Sequence, residues 1–332
     1  MNNDSCFKVS ILVPIYGVER YIERCVRSLF MQTYQNVEYV FVNDCTPDNS
    51  INRLNKVLYE YPNRKEQVRI INHQYNRGVA CARNTAINAI NGDFVYFVDS
   101  DDYLELNTID VLIREFILTG ADIISSNKII NESTKDERYA EPIYRSVHEM
   151  LLSILTQPWH HELAGRLVKA SLFKDYCIRA IEGQNHSEDW RIVPMIVYYS
   201  KKIAVVNENL YHYVINDSSL YHSTKNWEQK KSALLQDYNN YSSLLLFFKE
   251  KSELYYNLVY KYSTYKCFNL TLDAVYNYDK KFFYIMRNLL MSYNHNYIKE
   301  YSGKKLYYLL RCHNCFWLIR RYLYLSSSLL RK

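Results

Sequence analysis

Residues 94–104 read FVYFVDSDDYL. Its first five residues are apolar or aromatic, as in a strand that is buried on both faces of a sheet. Three carboxylates follow within four positions, at Asp99, Asp101 and Asp102. Like charges held this close together raise one another's energy. The end of this strand therefore needs a physical reason to be so acidic.

Upstream of this stretch, short apolar runs alternate with segments of helical spacing. The runs are residues 8–14, 37–42 and 68–72, and the helical segments are residues 19–31, 51–61 and 78–90. The order is therefore β-α-β-α-β-α-β, with strands that are continuously apolar. Such strands are typical of a parallel sheet covered by helices on both faces. The sequence predicts an α/β fold with a Rossmann-like, mostly parallel sheet.

Downstream, the pattern is less regular. Helices are expected at residues 108–119, 146–155 and 189–199, strands at 121–126, 203–206 and 210–214, and a loop at 127–144. Thr46, followed by Pro47, is expected to cap the helix at 51–61. From about residue 226, long Tyr-, Leu- and Lys-rich segments contain almost no Gly or Pro. We therefore expect a first domain at residues 1–225 and a helical region at 226–332.

Polar stretches fall where the predicted strands end, at residues 14–16, 43–44 and 99–102. In open α/β sheets, ligands bind outside the carboxyl ends of the strands. An Asp-x-Asp pair in that place can hold Mg²⁺ or Mn²⁺, with substrate phosphates filling the open positions. The metal would also neutralise the acids. The alternative is that Asp101 or Asp102 caps the next helix.

The positive charge lies mainly in the C-terminal tail. The net charge is +6, and residues 302–332 contain seven basic residues and no acid. The rest of the chain therefore has a net charge of about −1, so we expect no nucleic-acid partner. Residues 304–332 also alternate apolar and basic residues. They could lie on an anionic membrane surface, or pack as a core helix with a solvated basic face.

Other features indicate a cytoplasmic protein. The N-terminal MNNDSCFKVS lacks the basic and apolar regions of a signal peptide. No stretch of about 18 uncharged apolar residues predicts a spanning helix. The eight cysteines are scattered, as expected for reduced thiols. Cys312 and Cys315 are close in sequence, but no second pair follows to complete a metal site.

Three stretches together resemble the family 2 glycosyltransferases. They are SILVPIYGVERYIERCVRSLFMQTYQNVEYVFVNDCTPDNS from residue 10, NRGVACARNTAINAINGDFVYFVDSDD from residue 76, and EGQNHSEDW from residue 182. The resemblance covers about residues 8–215. It implies a GT-A fold and an inverting transfer of sugar from a nucleotide-sugar donor, with Mn²⁺ or Mg²⁺ as cofactor. Residues 1–225 would then be the catalytic domain and residues 226–332 an appendage.

The resemblance also implies a donor site. The residues expected there are Pro14, Ile15, Tyr16, Glu19, Asp44, Arg77, Arg83, Asp99, Ser100, Asp101 and His212. Asp44 would face the edge of the nucleobase, and Arg77 would lie near the ribose or a phosphate. Asp101 would be the more direct metal ligand, with Asp99 also binding the metal and lying closer to the ribose.

Several of these assignments keep a structural alternative. Asp44 could form an Asx turn at the start of the next helix. Arg83 could bond to strand-end carbonyls or to Asp99 instead of the donor. His212 could take the place of an Arg that relatives carry near the diphosphate, and His222 could approach the metal or the phosphates. Either His could equally be a satisfied structural residue, and Asp102 has no assigned role.

The stretch around residues 188–189 resembles the acidic pair that supplies the catalytic base. An inverting transfer needs one carboxylate to take the proton of the acceptor hydroxyl. We expect Asp189 to be that base and Glu188 to support it or to bind the acceptor. The alternative is two acids that favour the first turn of a helix because of its dipole.

The sequence thus predicts a glycosyltransferase of cell-surface polysaccharide synthesis. The expected donor is a UDP-sugar, the expected acceptor a glycan or a lipid-linked glycan, and the expected location the cytoplasm or the inner face of the plasma membrane. A nucleotidyltransferase would need a Gly-rich basic loop after the first strand, whereas residues 14–19 contain one Gly and no Lys. An inactive sugar-nucleotide-binding scaffold should have lost a catalytic acid, and all the acids are present.

Overall fold

The structure is a computed structural model that describes residues 7–131, 136–156, 161–215, 226–312 and 315–329. The chain divides into two compact units, Met1–Ser223 and Thr224–Lys332. The described part of the first unit contains a sheet with flanking helices, and that of the second unit is helical.

In the described part of the first unit, nine strands form the sheet. They are β1 (Val9–Ile15), β2 (Val37–Asn43), β3 (Val68–Asn72), β4 (Phe94–Phe97), β5 (Tyr103–Leu104), β6 (Ile123–Asn131), β7 (Asp136–Tyr139), β8 (Arg166–Lys169) and β9 (Ile203–Val214). Their order is β3-β2-β1-β4-β8-β6-β9-β5, and β7 pairs with β6 outside this path. The first four in that order are parallel to one another, β6 and β9 are also parallel, and the other pairs are antiparallel.

The helices of the first unit follow the strands along the chain. They are α1 (Ile22–Phe30), α2 (Ser50–Glu60), α3 (Val79–Asn88), α4 (Thr108–Thr119), α5 (Val147–Thr156), α6 (Ala170–Asp175) and α7 (Asp189–Tyr199). Every residue of β4 is buried, and so are all residues but one in each of β1 and β2, because helices cover the sheet. The predicted α/β architecture with a mostly parallel sheet is confirmed.

Three local predictions are wrong. Residues 127–144 are not all loop, because β6 continues to Asn131 and pairs with β7. The two strands predicted at 203–206 and 210–214 are one strand, β9, whose pairing with β6 contains two register shifts. Thr46 does not cap α2, which begins at Ser50. The Thr46 hydroxyl instead donates to Asp48 Oδ1, 2.7 Å away, and accepts from the Gly17 amide.

A buried ion pair joins Arg166, the first residue of β8, to Glu141, which follows β7. The Arg166 guanidinium Nη2 lies 2.9 Å from Glu141 Oε1, and both side chains are 1% exposed. Arg166 Nη1 also donates to Ser125 Oγ at 3.1 Å. Breaking such a pair by removing one partner leaves an uncompensated buried charge.

The second unit contains α8 (Trp227–Ser242), α9 (Leu244–Phe248), α10 (Glu253–Tyr276), α11 (Lys280–Met291), α12 (His295–Arg311) and α13 (Phe316–Leu329). The apolar residues Leu306, Leu310, Phe316 and Ile319 of the last two helices are buried in its core. The described part of the basic tail therefore places apolar side chains in this core, as the core-packing alternative expects, and contact with a membrane surface stays a prediction. Among the described residues, no helix is both long and apolar enough to cross a bilayer.

Candidate active site

The carboxyl ends of four parallel strands, β1 to β4, meet at one edge of the sheet. Backbone hydrogen bonds continue from strand to strand there, from Asp44 N to Ile15 O at 3.0 Å and from His73 N to Asn43 O at 2.9 Å. Of the predicted donor residues at the carboxyl end of β1, Pro14 is half-buried, Ile15 is buried and Tyr16, which follows the strand, is exposed. The loops that the sequence predicts to bind the nucleotide therefore lie side by side.

Glu19 links the first two of these loops through hydrogen bonds. Its Oε2 accepts from the Asn49 amide at 3.0 Å, and its own amide donates to Asp48 Oδ2 at 2.9 Å. In this structure Glu19 therefore sets the shape of the edge through protein contacts. A contact between Glu19 and the nucleotide stays a prediction.

Asp44 holds the loop that precedes α3. Its Oδ1 accepts from His73 Nδ1 at 2.7 Å and from the Arg77 amide at 2.9 Å, and its Oδ2 accepts from the Gly78 amide at 2.7 Å. The Asx-turn alternative is wrong, because the neighbouring Asn43 makes that contact, accepting from the Thr46 amide.

His73 was not among the site residues predicted from the sequence. It follows β3 as Asp44 follows β2, and that equivalent position at the sheet edge was the available signal. The second ring nitrogen, Nε2, lies 2.9 Å from Thr85 Oγ1 on α3. The ring therefore joins Asp44 to the helix that carries Arg83.

The segment that carries the predicted base is attached to α3 over most of its length. The Asn84 amide exchanges two hydrogen bonds with the backbone of Ala180, at 3.0 and 2.9 Å. Arg77 pairs with Glu182 at 3.3 Å. Near the start of α3, the Asn185 side chain accepts from a backbone amide, that of Ala80, at 3.2 Å. These contacts fix residues 180–185 against α3.

Gly78 is what allows Asn185 to come so close. Its φ of +87° lies in the region that favours glycine. A Cβ at this position would lie 2.2 Å from the side-chain amide of Asn185, which is far inside van der Waals contact. A glycine is therefore required here by both the backbone conformation and the available space.

Arg83 joins the two acidic parts of the edge. Its Nη2 donates to Asp99 Oδ1 at 3.0 Å, its Nε donates to Glu188 Oε1 at 2.7 Å, and its Nε lies 4.0 Å from Asp189 Oδ1. The Arg83 side chain is only 5% exposed. One of the alternatives considered for Arg83, a bond to Asp99, is therefore present in the structure. A contact with the donor stays a prediction.

Asp189 begins α7, and its environment suits a general base. Its Oδ2 accepts from the Leu163 amide at 3.0 Å, and its side chain is 18% exposed. Burial raises the pKa of this carboxyl from its ordinary value to about 7; Arg83 lowers it, and the neighbouring Glu188 carboxylate raises it. A base whose pKa lies close to neutral pH can both take and release a proton efficiently.

The acids after β4 differ in their surroundings. Asp99 pairs with Arg83 and keeps 34% of its side chain exposed, Asp101 is half-buried, and Ser100 between them is buried. Asp102 is buried, and its carboxylate accepts from the Tyr211 hydroxyl at 2.5 Å and from the Val214 amide at 2.8 Å.

These surroundings reduce the repulsion among the three acids. Burial, and then the neighbouring Asp101 and Asp99, raise the pKa of the Asp102 carboxyl well above its ordinary value. The charge of Asp99 is compensated by the Arg83 guanidinium. Asp102 fastens the end of β9 to this loop, and the alternative that Asp101 or Asp102 caps the next helix is wrong, because α4 begins at Thr108, after Asn107.

The chemistry of Asp99 and Asp101 fits a hard divalent cation. Within the described ranges, no group of three or more His, Cys, Asp or Glu side chains is arranged around a possible metal position. Mg²⁺ commonly binds through one or two carboxylates, and substrate phosphates complete its coordination. Two carboxylates beside a half-exposed loop are therefore a sufficient protein contribution for a site of that kind.

His212 lies on β9, and both of its ring nitrogens contact protein atoms. Nε2 lies 2.8 Å from Glu105 Oε1, Nδ1 lies 3.2 Å from Asn131 Oδ1, and the ring stacks on Tyr103 with centroids 4.1 Å apart. These contacts favour the structural alternative, and a contact with the diphosphate stays a prediction. His222 lies outside the described residues.

Comparison with known proteins identifies the family. The sequence pattern described as Glycosyl transferase family 2 matches residues 10–176, about half of the chain. The chain therefore belongs to the family 2 glycosyltransferases, and the resemblance seen in its motifs is confirmed. Glycosyltransferase GlyA of Streptococcus pneumoniae serotype 4 (strain ATCC BAA-334 / TIGR4) is 32% identical to it over 69% of this chain. This chain spans only 33% of the length of GlyA.

Two solved structures have a similar fold. Staphylococcus aureus TarS 1–349 in complex with UDP-GlcNAc has a TM-score of 0.55 at 18% identity, covering 90% of this chain and 92% of TarS 1–349. Mannosyltransferase PcManGT from Pyrobaculum calidifontis, in complex with GDP-Man and Mn²⁺, has a TM-score of 0.55 at 13% identity, covering 96% and 86%. At these identities the likeness concerns the fold alone, and the predicted GT-A fold is confirmed.

Proposed function

We propose that this chain is an inverting glycosyltransferase. It transfers a sugar from a nucleoside-diphosphate donor, expected to be a UDP-sugar, to a glycan or lipid-linked acceptor in the synthesis of a cell-surface polysaccharide. Residues 1–225 are the proposed catalytic domain. The observation that carries the proposal is the placement of Arg83 between Asp99, at the end of β4, and the acidic pair that begins α7.

Asp189 is the proposed base. Its carboxylate takes the proton of the acceptor hydroxyl while that oxygen attacks the anomeric carbon. The attack comes from the face opposite the diphosphate, so the bond to the diphosphate oxygen breaks as the new glycosidic bond forms. An α-configured donor then gives a β-linked product. Glu188 orients the site through its bond to Arg83 and helps to keep the pKa of Asp189 near 7.

The diphosphate side of the site is assigned to Asp99, Asp101 and Arg83. When Mn²⁺ or Mg²⁺ is bound, it neutralises the charge that develops on the departing diphosphate. Asp101, and Asp99 through the oxygen that Arg83 does not engage, would hold the cation. The Nη1 atom of Arg83 is buried and has no hydrogen-bond partner among the described residues. This supports a contact in which Nη1 donates to an oxygen of the nucleotide sugar.

The experiment is a donor panel with matched variants. The full chain is incubated with UDP- and GDP-sugars and Mn²⁺ or Mg²⁺, with and without acceptor glycans, and nucleotide release is followed. Asp101→Asn tests the cation site and Asp189→Asn tests the base. Asp110→Asn is the control, because Asp110 pairs with Arg114 on α4 and is not among the proposed site residues.

We expect cation-dependent release from one donor in the wild type and in the control variant. Asp101→Asn should lose cation-dependent nucleotide binding, whereas Asp189→Asn should bind the donor and lose turnover by a factor of about 10² to 10⁴. Binding of a nucleotide sugar with no transfer to any acceptor would instead favour an inactive binding scaffold. Failure of every nucleotide sugar to bind would refute the proposal.

The proposed partner of the second unit is an anionic membrane surface. Lys304, Lys305, Tyr308 and Arg311 are exposed at helical spacing on α12, as are Trp317, Leu318, Arg321 and Tyr324 on α13. Basic and aromatic side chains on one face favour the interface of an anionic bilayer. This supports a peripheral location on the inner face of the plasma membrane. Sedimentation with anionic but not neutral vesicles, weakened in Trp317→Ser, tests it.

A further inference from the structure

The Asp44 carboxylate has few hydrogen-bonding positions left for a ligand. A carboxylate offers about four lone-pair positions, two on each oxygen. His73 and the Arg77 amide occupy both positions of Oδ1, and the Gly78 amide occupies one position of Oδ2. Counting the contacts with described residues, a single acceptor position remains, on Oδ2. The Asp44 side chain is also only 3% exposed, so a ligand can reach it over a small area.

The number of free acceptors matters because nucleobases differ in their donors. Uracil presents one N–H, at N3, between two carbonyl oxygens. Guanine presents two neighbouring donors, at N1 and N2, which pair best with both oxygens of a carboxylate. When only one acceptor is open, guanine must bury a donor without a partner, and such a donor is costly.

We propose that His73 makes the nucleobase site selective for uracil over guanine, by occupying the Asp44 oxygen that guanine would need. The inference rests on the proposed function, and it assigns the donor nucleotide to a residue of this chain. The fold alone does not determine the nucleobase of the donor, because the similar structures include one complex with UDP-GlcNAc and one with GDP-Man.

The His73 ring is held firmly enough to exclude a competing base. Its Nδ1 lies 2.7 Å from Asp44, its Nε2 lies 2.9 Å from Thr85 Oγ1, and its backbone amide donates to Asn43 O at 2.9 Å. The His73 side chain is only 6% exposed. A guanine would have to break the buried hydrogen bonds on both sides of the His73 ring to reach Asp44 Oδ1.

The test compares nucleoside diphosphates by isothermal titration with the full chain and Mn²⁺. The probes are UDP, GDP and IDP, because the hypoxanthine of IDP is a purine that has the N1 donor and lacks the N2 amino group. The wild type should bind UDP more tightly than GDP, and IDP more tightly than GDP. The IDP comparison needs no variant, and it separates the donor count from the size of the base.

Two substitutions then change the Asp44 contact itself. His73→Leu removes the donor to Oδ1 and should lower the UDP-to-GDP affinity ratio by about tenfold, the scale of one bidentate base contact. His73→Asn keeps an N–H donor near the position of Nδ1 and should stay close to the wild-type ratio. Each ratio is measured on one protein sample, so a general loosening of the loop would lower both affinities and leave the ratio unchanged.

Each outcome bears on one of the two proposals. A wild type that binds GDP as tightly as UDP or IDP overturns the role of His73 and leaves a glycosyltransferase with a GDP-sugar donor. An unchanged ratio in His73→Leu also overturns it. A wild type that binds no nucleotide with Mn²⁺ removes the proposed function itself.

Discussion

Replacing Glu188 with Gln should move the acidic limb of the pH–rate profile to lower pH. The limb is expected near pH 7 in the wild type, because Asp189 acts only when ionised and its pKa is raised to about 7. The Glu188 carboxylate is one of the causes of that rise. Gln can still accept from Arg83 Nε, so the substitution removes a negative charge and keeps the contact. The ionised form of Asp189 then becomes easier to form, and its pKa falls.

The size of the shift follows from the Arg83 contacts. Arg83 Nε lies 2.7 Å from Glu188 Oε1 and 4.0 Å from Asp189 Oδ1, so those two oxygens are at most about 7 Å apart. Two unit charges about 7 Å apart interact by about 2.4 kcal/mol at an effective dielectric constant of about 20, which equals about 1.7 pKa units. The limb of Glu188→Gln is therefore expected between about pH 5 and pH 6.

The assay is kcat/KM for the donor from pH 4.5 to pH 9, because this parameter reports the ionisations of the free enzyme. Glu182→Gln is the matched control. It removes a carboxylate from the same segment, but one that pairs with Arg77 at the surface. The control should keep the wild-type limb. A limb that stays at its wild-type position in Glu188→Gln would refute the assignment of Asp189 as the base beside a charged Glu188.

Three further predictions concern the stability of the framework around the site. Asp189→Asn should raise the free energy of unfolding at pH 8 by up to about 4 kcal/mol, and by less at pH 5. The pKa of Asp189 in the folded state is raised to about 7, so the wild type loses stability as the pH rises from about 4 to 7. Urea unfolding at both pH values checks this prediction. Gly78→Ala should cost about 3 kcal/mol and weaken nucleotide binding, whereas Gly183→Ala, which has φ of +79° but open space for a Cβ, should cost about 1 kcal/mol in thermal unfolding. Arg166→Met should cost about 3 to 5 kcal/mol by leaving Glu141 buried and unpaired, and adding Glu141→Leu should recover most of that loss in the same unfolding assay.

The sheet could be predicted from the sequence because its signals are local. Continuously apolar runs imply strands buried on both faces, and such strands imply a parallel sheet with polar residues collected at its carboxyl edge. The placement of Asp99 and Asp44 at that edge follows from this argument. The resemblance to a family added the base at Asp189, since two acids at the start of a helix are ambiguous by themselves.

The contacts that shape the site could not be predicted in this way. Arg83 and Glu188 are 105 residues apart in the chain, and no periodicity relates them. The position of His73 after β3 places it at the sheet edge, but no local pattern shows that its ring contacts Asp44 and Thr85. The strand β7 was missed because its residues are mostly exposed and polar, so the pairing with β6 leaves no apolar alternation in the sequence.

The central position of α3 explains why these long-range contacts matter together. Its first turn is fixed by Asp44 and Asn185, and one turn further on Arg83 reaches both Asp99 and Glu188. A buried ion-pair network adds little net stability, because desolvation offsets most of the attraction. Its main effect is therefore geometric: it sets the distance between the acids that would face the diphosphate and the acid that would take the proton. A shift of α3 would move the proposed nucleobase contact at Asp44, the proposed diphosphate side at Asp99 and the proposed catalytic base Asp189 at the same time. Substitutions along this helix should for that reason affect donor binding and turnover together.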